Sequence, residues 1–152
     1  MFMHRDTMAS ADRFGTDDTG LVRVLIADDD PRVRHALRAL IESADGALVV
    51  GEACSTDELL EYDRTLEPGV ILLDLILSPK DEHLDLLRLL GQEGRSVVAI
   101  SVRGGMRQAA LDAGACAFVE KGATPDVVLQ ALQTAAAQQR AMRYPRRAPD
   151  DA

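Results

Sequence analysis

Val70-Ile71-Leu72-Leu73-Asp74 is an apolar run of four residues that ends in one carboxylate. A run this short, placed directly after Pro68-Gly69, is typical of a strand buried on both faces in a parallel sheet. Asp74 then lies at the carboxyl end of that strand, where open parallel sheets place their chemistry. A second stretch with the apolar residues Val22, Val24, Leu25 and Ile26 leads into Asp28-Asp29-Asp30. Two predicted strands therefore end in carboxylates.

The composition limits what kind of protein this chain can be. It has 152 residues, of which 47% are hydrophobic, enough to bury one substantial core. A net charge of −8 argues against an exposed basic surface for nucleic acid and against attraction to an anionic membrane. No apolar stretch approaches the roughly 20 residues that span a bilayer, and residues 1–20 lack the apolar core of a secretory signal. We therefore expect a cytoplasmic protein, with Cys54 and Cys116 as small buried thiols because their spacing suits no metal.

Three segments are expected along the chain. Residues 1–20 show neither helical nor alternating periodicity, which predicts a disordered leader. Residues 21–142 carry the regular apolar patterns and form the folded domain. Residues 143–152 place arginines beside aspartates, which predicts a flexible, solvated tail rather than a contact with nucleic acid.

Strands and helices alternate through residues 21–142. Apolar runs predict strands over residues 21–27, 48–53, 70–74, 96–101 and 117–120. Capping signals at Asp30 (before Pro31), Ser55 (with Glu58) and Thr124 (before Pro125) predict helices that end near residues 44, 66 and 142. The leucines of residues 84–90 mark another helix, and Gly104-Gly105 precedes a short one through Ala113. This alternation, with right-handed crossovers, predicts a three-layer α/β sandwich in which five helices cover a five-stranded parallel sheet.

Polar side chains follow four of the predicted strands: Asp28 and Asp29, then Asp74, then Ser101, then Lys121. Crowded carboxylates raise each other's pKa, so such a group is unfavourable unless a cation occupies it. Mg²⁺ is a cation that carboxylates, water and a phosphate oxygen typically bind. With the metal present, Asp74 can attack a phosphoryl group to form an acyl phosphate. Lys121 would then neutralise phosphoryl oxygens, and the Ser101 hydroxyl would donate a hydrogen bond to them.

Each of these residues also has an ordinary structural explanation. Taken alone, the three aspartates before Pro31 are better explained as a helix cap with solvated neighbours. Ser101 alone is an unremarkable serine at the end of a strand. Asp74 is harder to explain in this way, because a charge at the end of a wholly apolar strand is costly without partners. The combination, rather than any single residue, points to a site.

The stretch from Leu21 to about Met142 resembles a receiver domain of the two-component response regulators. Four segments carry the resemblance: Val-Leu-Ile-Ala-Asp-Asp-Asp-Pro at 24–31, Val-Ile-Leu-Leu-Asp-Leu at 70–75, Val-Ala-Ile-Ser at 98–101 and Ala-Gly-Ala-Cys-Ala-Phe-Val-Glu-Lys-Gly-Ala at 113–123. The last segment, with Thr124-Pro125, is similar to receivers that carry a helix-turn-helix output domain. The resemblance implies a flavodoxin-like strand order.

The resemblance also implies a role for each site residue. Asp74 matches the phosphoacceptor, and Asp28 and Asp29 match the acidic pair that holds Mg²⁺ together with Asp74 and the backbone carbonyl of Ile76. Ser101 matches the switch hydroxyl, Lys121 the phosphate partner, and Phe118 the switch aromatic. Phosphorylation would then favour a conformation in which the face of the fourth helix, fifth strand and fifth helix is reshaped.

Two segments depart from the family pattern. The loop Ser78–His83 is one residue longer than usual and has His83 where glycine is expected, which would cost strain if the position needs a positive φ. The segment from Ser101 to Gly114 is shorter, with Gly104-Gly105 where the fourth helix normally begins. We therefore expect a short fourth helix, and the chemistry could be retained while the conformational coupling differs.

Three functions are compatible with these residues. The favoured one is a single-domain response regulator, phosphorylated by a histidine kinase or phosphotransfer protein and read by a protein effector, with homodimerisation as a further option. Its only enzymatic activity would be its own phosphotransfer and dephosphorylation. The second is a receiver-like interaction module that is not phosphorylated. The third, a hydrolase of the haloacid dehalogenase kind, would need an acid at Ile76 and is disfavoured. Without an output domain, neither nucleic acid nor a membrane is an expected partner.

Overall fold

The computed structural model describes residues 20–78 and 82–143. Residues 1–19 and 144–152, which make up nearly all of the predicted leader and tail, lie outside the described residues. Within the described part, strands and helices alternate in the following order: β1 Val22–Ala27, α1 Pro31–Glu42, β2 Ala47–Ala53, α2 Thr56–Leu66, β3 Val70–Asp74, α3 His83–Gln92, β4 Ser96–Ser101, a 3₁₀ turn Gly104–Met106, α4 Arg107–Asp112, β5 Ala117–Glu120 and α5 Pro125–Arg143.

The five strands form one parallel sheet in the order β2-β1-β3-β4-β5. This is the flavodoxin-like order, so the predicted fold class is confirmed. β3 is central and lies between β1 and β4, and all of its residues are buried. A wholly apolar strand fits this position because helices cover both faces of the sheet.

Side chains of the strands alternate between two cores. Leu25, Ile71 and Leu73 face the core covered by α2, α3 and α4, whereas Val24 and Leu72 face the core covered by α1 and α5. This arrangement is the predicted three-layer sandwich. Its consequence for function is that residues directly after β1, β3, β4 and β5 emerge together at the carboxyl edge.

Two helix starts use the predicted caps. Asp30 accepts a hydrogen bond from the Arg32 amide at 2.9 Å, and Ser55 accepts one from the Glu58 amide at 3.2 Å. The Glu58 carboxylate accepts from the Cys54 amide at 2.8 Å, one residue earlier than a capping box would have it.

Several predicted boundaries were wrong by one or two residues. α1 ends at Glu42 rather than near Ala44: Ser43 is its C-cap, and the Ala44 amide donates to the Ile41 carbonyl, three residues back, at 3.1 Å. β1 begins at Val22 and β2 at Ala47, while α5 continues one residue beyond Met142. α4 is short, as the glycine pair predicted.

Two expectations about single residues also need correction. His83 was expected in the loop after β3, with strain if the position needed a positive φ. It is instead the first residue of α3, and Glu67 is the sole non-glycine with a positive φ among the described residues. Cys54 was expected to be buried but is exposed, because it lies in the turn between β2 and α2. Cys116 is half-buried, and burial raises the pKa of its thiol to about 11. No helix in the described part of the chain is long and apolar enough to cross a bilayer.

Candidate functional site

Three carboxylates meet at the carboxyl edge of the sheet. Asp28 follows β1 and Asp74 ends β3, and the pairing of Ala27 with Leu73 brings these two strand ends side by side. One oxygen from each of Asp28, Asp29 and Asp74 lies within 4.8 Å of the others. Asp28 and Asp74 are each 1% exposed, whereas Asp29 faces solvent. The predicted acidic cluster is therefore present, with two buried members and one open to solvent.

Lys121 reaches this cluster from the residue after β5. Its Nζ donates a hydrogen bond to Asp74 Oδ2 at 2.8 Å and lies 3.3 Å from Asp28 Oδ2. Its amide donates to the Ser101 carbonyl at 2.9 Å, which fixes the start of the side chain relative to β4. Burial alone would lower the pKa of Lys121, but the hydrogen bond to Asp74 and the two carboxylate charges raise it overall. Lys121 is therefore held as a cation.

Asp28 has fewer hydrogen bonds than Asp74, the other buried carboxylate of the cluster. Its Oδ1 accepts from the Asp30 amide at 2.9 Å, but its buried Oδ2 has no hydrogen-bond partner among the described residues. Burial raises the pKa of the Asp28 carboxyl, and the charge of Asp74 raises it further, against the lowering effects of the Asp30 amide and Lys121. A buried carboxylate oxygen without a hydrogen bond is costly. The one ionic contact of Asp28 Oδ2 among the described residues is Lys121 Nζ at 3.3 Å, and a hard divalent cation fits this donor set because it would add a second partner.

Asp74 is held on both of its oxygens. Oδ1 accepts from the Ile76 amide at 3.1 Å, and Oδ2 accepts from Lys121. Because of the bond from the Ile76 amide, the chain after β3 turns back towards the carboxylate. Ile76 itself is 57% exposed. The structure thus places Ile76 against Asp74, while the metal-binding role of its carbonyl stays a prediction.

Ser101 ends β4 and is buried at the same edge. Its Oγ accepts a hydrogen bond from the Arg103 amide at 3.1 Å, which leaves the hydroxyl proton available. A cavity of about 290 Å³ opens here, and its walls include Ile76, Ser101, His83 and Arg103. The cavity therefore lies beside Ser101 and beside Ile76, whose amide bonds Asp74.

Phe118 lies on β5 with its side chain 5% exposed, packed into the core under α3 and α4. The Arg107 guanidinium carbon lies 5.1 Å from the centre of the Phe118 ring, within cation–π range. The predicted switch aromatic is thus buried next to the segment that follows Ser101.

Two residues near the site were not singled out from the sequence. Arg34 Nη1 donates to the Asp28 carbonyl at 2.8 Å and so fixes the backbone of the acidic pair. Arg103 lines the cavity and supplies the amide that bonds Ser101. For Arg34 the signal was its place in the first turn of the helix that follows the aspartates. The sequence contains no signal that would single out Arg103.

Such a sheet, with three carboxylates and a lysine at its carboxyl edge, defines the class of phosphoacceptor signalling domains, and the comparisons with known proteins agree. The model of the response regulator receiver domain matches residues 24–133. The chain therefore belongs to the response regulator receiver family.

The most informative relatives come from bacterial regulators. The chain is 37% identical over 117 residues to the nitrate/nitrite response regulator protein NarL of Escherichia coli K12, covering 75% of this chain and 54% of that protein. It is 34% identical over 124 residues to the response regulator GacA of Pseudomonas viridiflava, covering 79% and 58%. The chain thus spans little more than half the length of these curated relatives.

Solved structures show the same likeness. A two-component response regulator of the LuxR family from Aurantimonas sp. SI85-9A1 superposes with a TM-score of 0.70 at 27% identity, covering 77% of this chain and 86% of that one.

Proposed function

We propose that Asp74 accepts a phosphoryl group from a histidine kinase or phosphotransfer protein and that the phosphorylated domain is read by a protein effector in the cytoplasm. One observation carries this proposal. Asp74 is buried at the end of the central strand, yet it is bonded by Lys121 and has Asp28 and Asp29 beside it. Family membership supports the same role.

The residues that would hold Mg²⁺ are Asp28, Asp29, Asp74 and the carbonyl of Ile76. The crowding of carboxylates supports this assignment, as does the buried Asp28 Oδ2, whose one ionic contact among the described residues is Lys121. When bound, Mg²⁺ supplies positive charge that stabilises the phosphoryl oxygens during transfer. Side chains of the domain itself would supply the nucleophile and the hydrogen bonds to the phosphoryl group.

In the transfer step an Asp74 carboxylate oxygen attacks phosphorus while the bond from phosphorus to the donor breaks. The donor, an imidazole nitrogen in a histidine kinase, leaves with the electron pair of that bond. Lys121, already a cation, would exchange part of its contact with Asp74 for a phosphoryl oxygen. The Ser101 hydroxyl can donate its proton to a second phosphoryl oxygen, because in the bond with the Arg103 amide it acts only as the acceptor.

The consequence of phosphorylation would be a shift between two conformations. Ser101 would move towards the phosphoryl group, and Phe118, packed under the adjacent segment, would follow. The surface of α4, β5 and α5 would then change for an effector or a second copy. Apart from this transfer and its hydrolysis, we assign the domain no enzymatic reaction.

Beryllofluoride, which mimics an aspartyl phosphate, tests the proposal. The chain has no tryptophan, so fluorine NMR of bound beryllofluoride is a better readout than intrinsic fluorescence. We expect a bound signal that requires Mg²⁺ and disappears in Asp74→Asn. The matched control is Asp85→Asn, which removes an exposed carboxylate of α3 that pairs only with Arg88 among the described residues. A wild-type protein without a Mg²⁺-dependent signal would refute the acceptor role.

A further inference from the structure

Glu120 is exposed, and the end of its side chain lies directly against Gly104. Glu120 is the last residue of β5, and Gly104 is the first residue of the 3₁₀ turn after β4. A Cβ atom added to Gly104 would lie 3.0 Å from Cδ of Glu120 and nearer still to Oε1. Real Cβ atoms do not approach other atoms so closely. The Glu120 carboxylate therefore occupies the space that a side chain at position 104 would need.

This contact is connected to the candidate site by two short links. On one side, Gly104 follows Arg103, whose amide bonds the Ser101 hydroxyl oxygen at 3.1 Å. On the other, Glu120 precedes Lys121, whose amide bonds the Ser101 carbonyl at 2.9 Å. The turn that must move if Ser101 approaches a phosphoryl group is thus in contact with Glu120.

A second contact lies on the same face of β5. Phe118 and Glu120 are two residues apart in a strand, so their side chains point to the same side. The Arg107 guanidinium lies over Phe118, and the Glu120 carboxylate contacts Gly104. The segment from Gly104 to Arg107 is therefore supported at both ends by β5. Loss of one support leaves the other in place, so a variant at Glu120 should keep its fold.

We propose that Glu120 is a positioning residue that holds the turn Gly104–Met106 in its resting place and thereby opposes closure of Ser101 on a phosphorylated Asp74. The inference rests on the proposed function. The mechanism is steric: the side chain fills the gap between β5 and the turn, and closure requires it to swing aside. Its shape, rather than its charge, should decide the effect.

Four single variants and one double variant distinguish the effect of the shape of Glu120 from the effect of its charge. Glu120→Ala empties the gap, and Glu120→Gln keeps the shape but removes the charge. Gly104→Ala should push the flexible Glu120 side chain out. Gly105→Ala is the matched control, because a Cβ there meets nothing within 4 Å. The double variant Gly104→Ala/Glu120→Ala tests whether the two residues act through one contact.

The first measurement is hydrogen exchange at the amides of residues 104–106 in the unmodified protein. We expect faster exchange in Glu120→Ala and wild-type exchange in Glu120→Gln. This experiment needs no phosphoryl group, so it reports on the contact even if Asp74 proves not to be an acceptor. Unchanged exchange in Glu120→Ala would overturn the proposal.

The second measurement is the apparent affinity for beryllofluoride with Mg²⁺. Coupled neighbouring residues typically change an equilibrium by about threefold to tenfold or more. We expect Glu120→Ala and Gly104→Ala each to bind more tightly by about that factor, the double variant to match the single ones, and Glu120→Gln and Gly105→Ala to match wild type. Additive effects in the double variant, or a Glu120→Gln that behaves like Glu120→Ala, would overturn the steric account. Failure of the wild type itself to bind would instead refute the acceptor role of Asp74.

Discussion

Lys121 Nζ lies 2.8 Å from Asp74 Oδ2, across the carboxyl edge of the sheet and 47 residues away in sequence. The same nitrogen lies 3.3 Å from Asp28 Oδ2, so one ammonium group partners both buried carboxylates. Among the described residues, three carboxylates and one ammonium leave an excess of negative charge at this edge. The site is therefore suited to a divalent cation and to the anionic group that such a cation would attract.

Replacing Lys121 with methionine should separate its two roles. A unit charge about 4 Å away is worth up to about 4 kcal/mol near a protein surface. Without the competing ammonium, we expect Mg²⁺ to bind at least about tenfold more tightly, while the beryllofluoride signal weakens or vanishes. Calorimetric titration of Mg²⁺ measures the first effect. Arg88→Met, which removes an exposed cation of α3, is the control and should leave both quantities unchanged.

Asp28→Asn should stabilise the protein without metal at neutral pH. Burial raises the pKa of Asp28, so its favourable contribution is present below the pKa of the unfolded chain and is lost as pH rises through the folded value. At pH 7 the wild type therefore carries an unfavourable charge that the variant lacks. We expect a gain of about 1 kcal/mol in the free energy of unfolding without Mg²⁺.

Addition of Mg²⁺ should reverse this difference. The cation stabilises the wild type by binding the folded state, and Asp28→Asn should lose most of that gain. Urea unfolding with and without Mg²⁺ measures both effects. If Mg²⁺ stabilised the variant as much as the wild type, Asp28 would not be a ligand.

Glu93 should make the free energy of unfolding depend on pH up to about pH 7, through a titration separate from that of Asp28. A hydrogen bond with Asp63 raises the pKa of Glu93 to about 7, and partial burial adds to the rise against the effect of Arg95. Asp63 is buried and bonds Arg95 Nε at 2.7 Å. The stabilising effect of protonated Glu93 is full below its unfolded pKa, near 4.5, and is lost as pH rises through about 7.

We therefore expect Glu93→Gln to flatten the fall in unfolding free energy between pH 5 and pH 8. Glu61→Gln, on the exposed side of α2, serves as the control and should keep the wild-type slope. Equal slopes in wild type and Glu93→Gln would show that the shared proton is absent. The comparison is made at constant ionic strength, because exposed charges are screened by salt.

The helix cap at Asp30 should contribute to stability without touching the chemistry. Its side chain accepts the Arg32 amide, and Pro31 occupies the first helical position. Asp30→Ala should cost about 1 kcal/mol of unfolding free energy. Beryllofluoride binding should be retained, which would distinguish the capping aspartate from Asp28 and Asp29. Loss of binding would mean that Asp30 belongs to the site.

The sequence predicted the part of this structure that follows from burial and strand direction. A wholly apolar strand such as β3 is stable only inside a covered parallel sheet, so the position of Asp74 at its end could be predicted. The same argument placed Asp28 and Lys121 at the same edge. Their distances could not be predicted, because they depend on how far the sheet twists between β1 and β5.

Contacts between side chains from different elements could not be read from the sequence. The approach of Glu120 to Gly104 depends on a turn whose path follows from packing against β5. The raised pKa of Glu93 depends on Asp63 of α2, which meets the residue after α3 beside Arg95. His83 was placed wrongly because the family loop suggested a glycine where this chain begins a helix.

The most direct test of the central claim is to incubate the protein with a small acyl phosphate and Mg²⁺, then treat it with borohydride and map the product by mass spectrometry. Borohydride reduces an aspartyl phosphate to homoserine, which marks the acceptor. The account predicts homoserine at position 74, dependent on Mg²⁺ and absent from Asp74→Asn. A modification found at another aspartate, or none where the protein binds Mg²⁺, would contradict it.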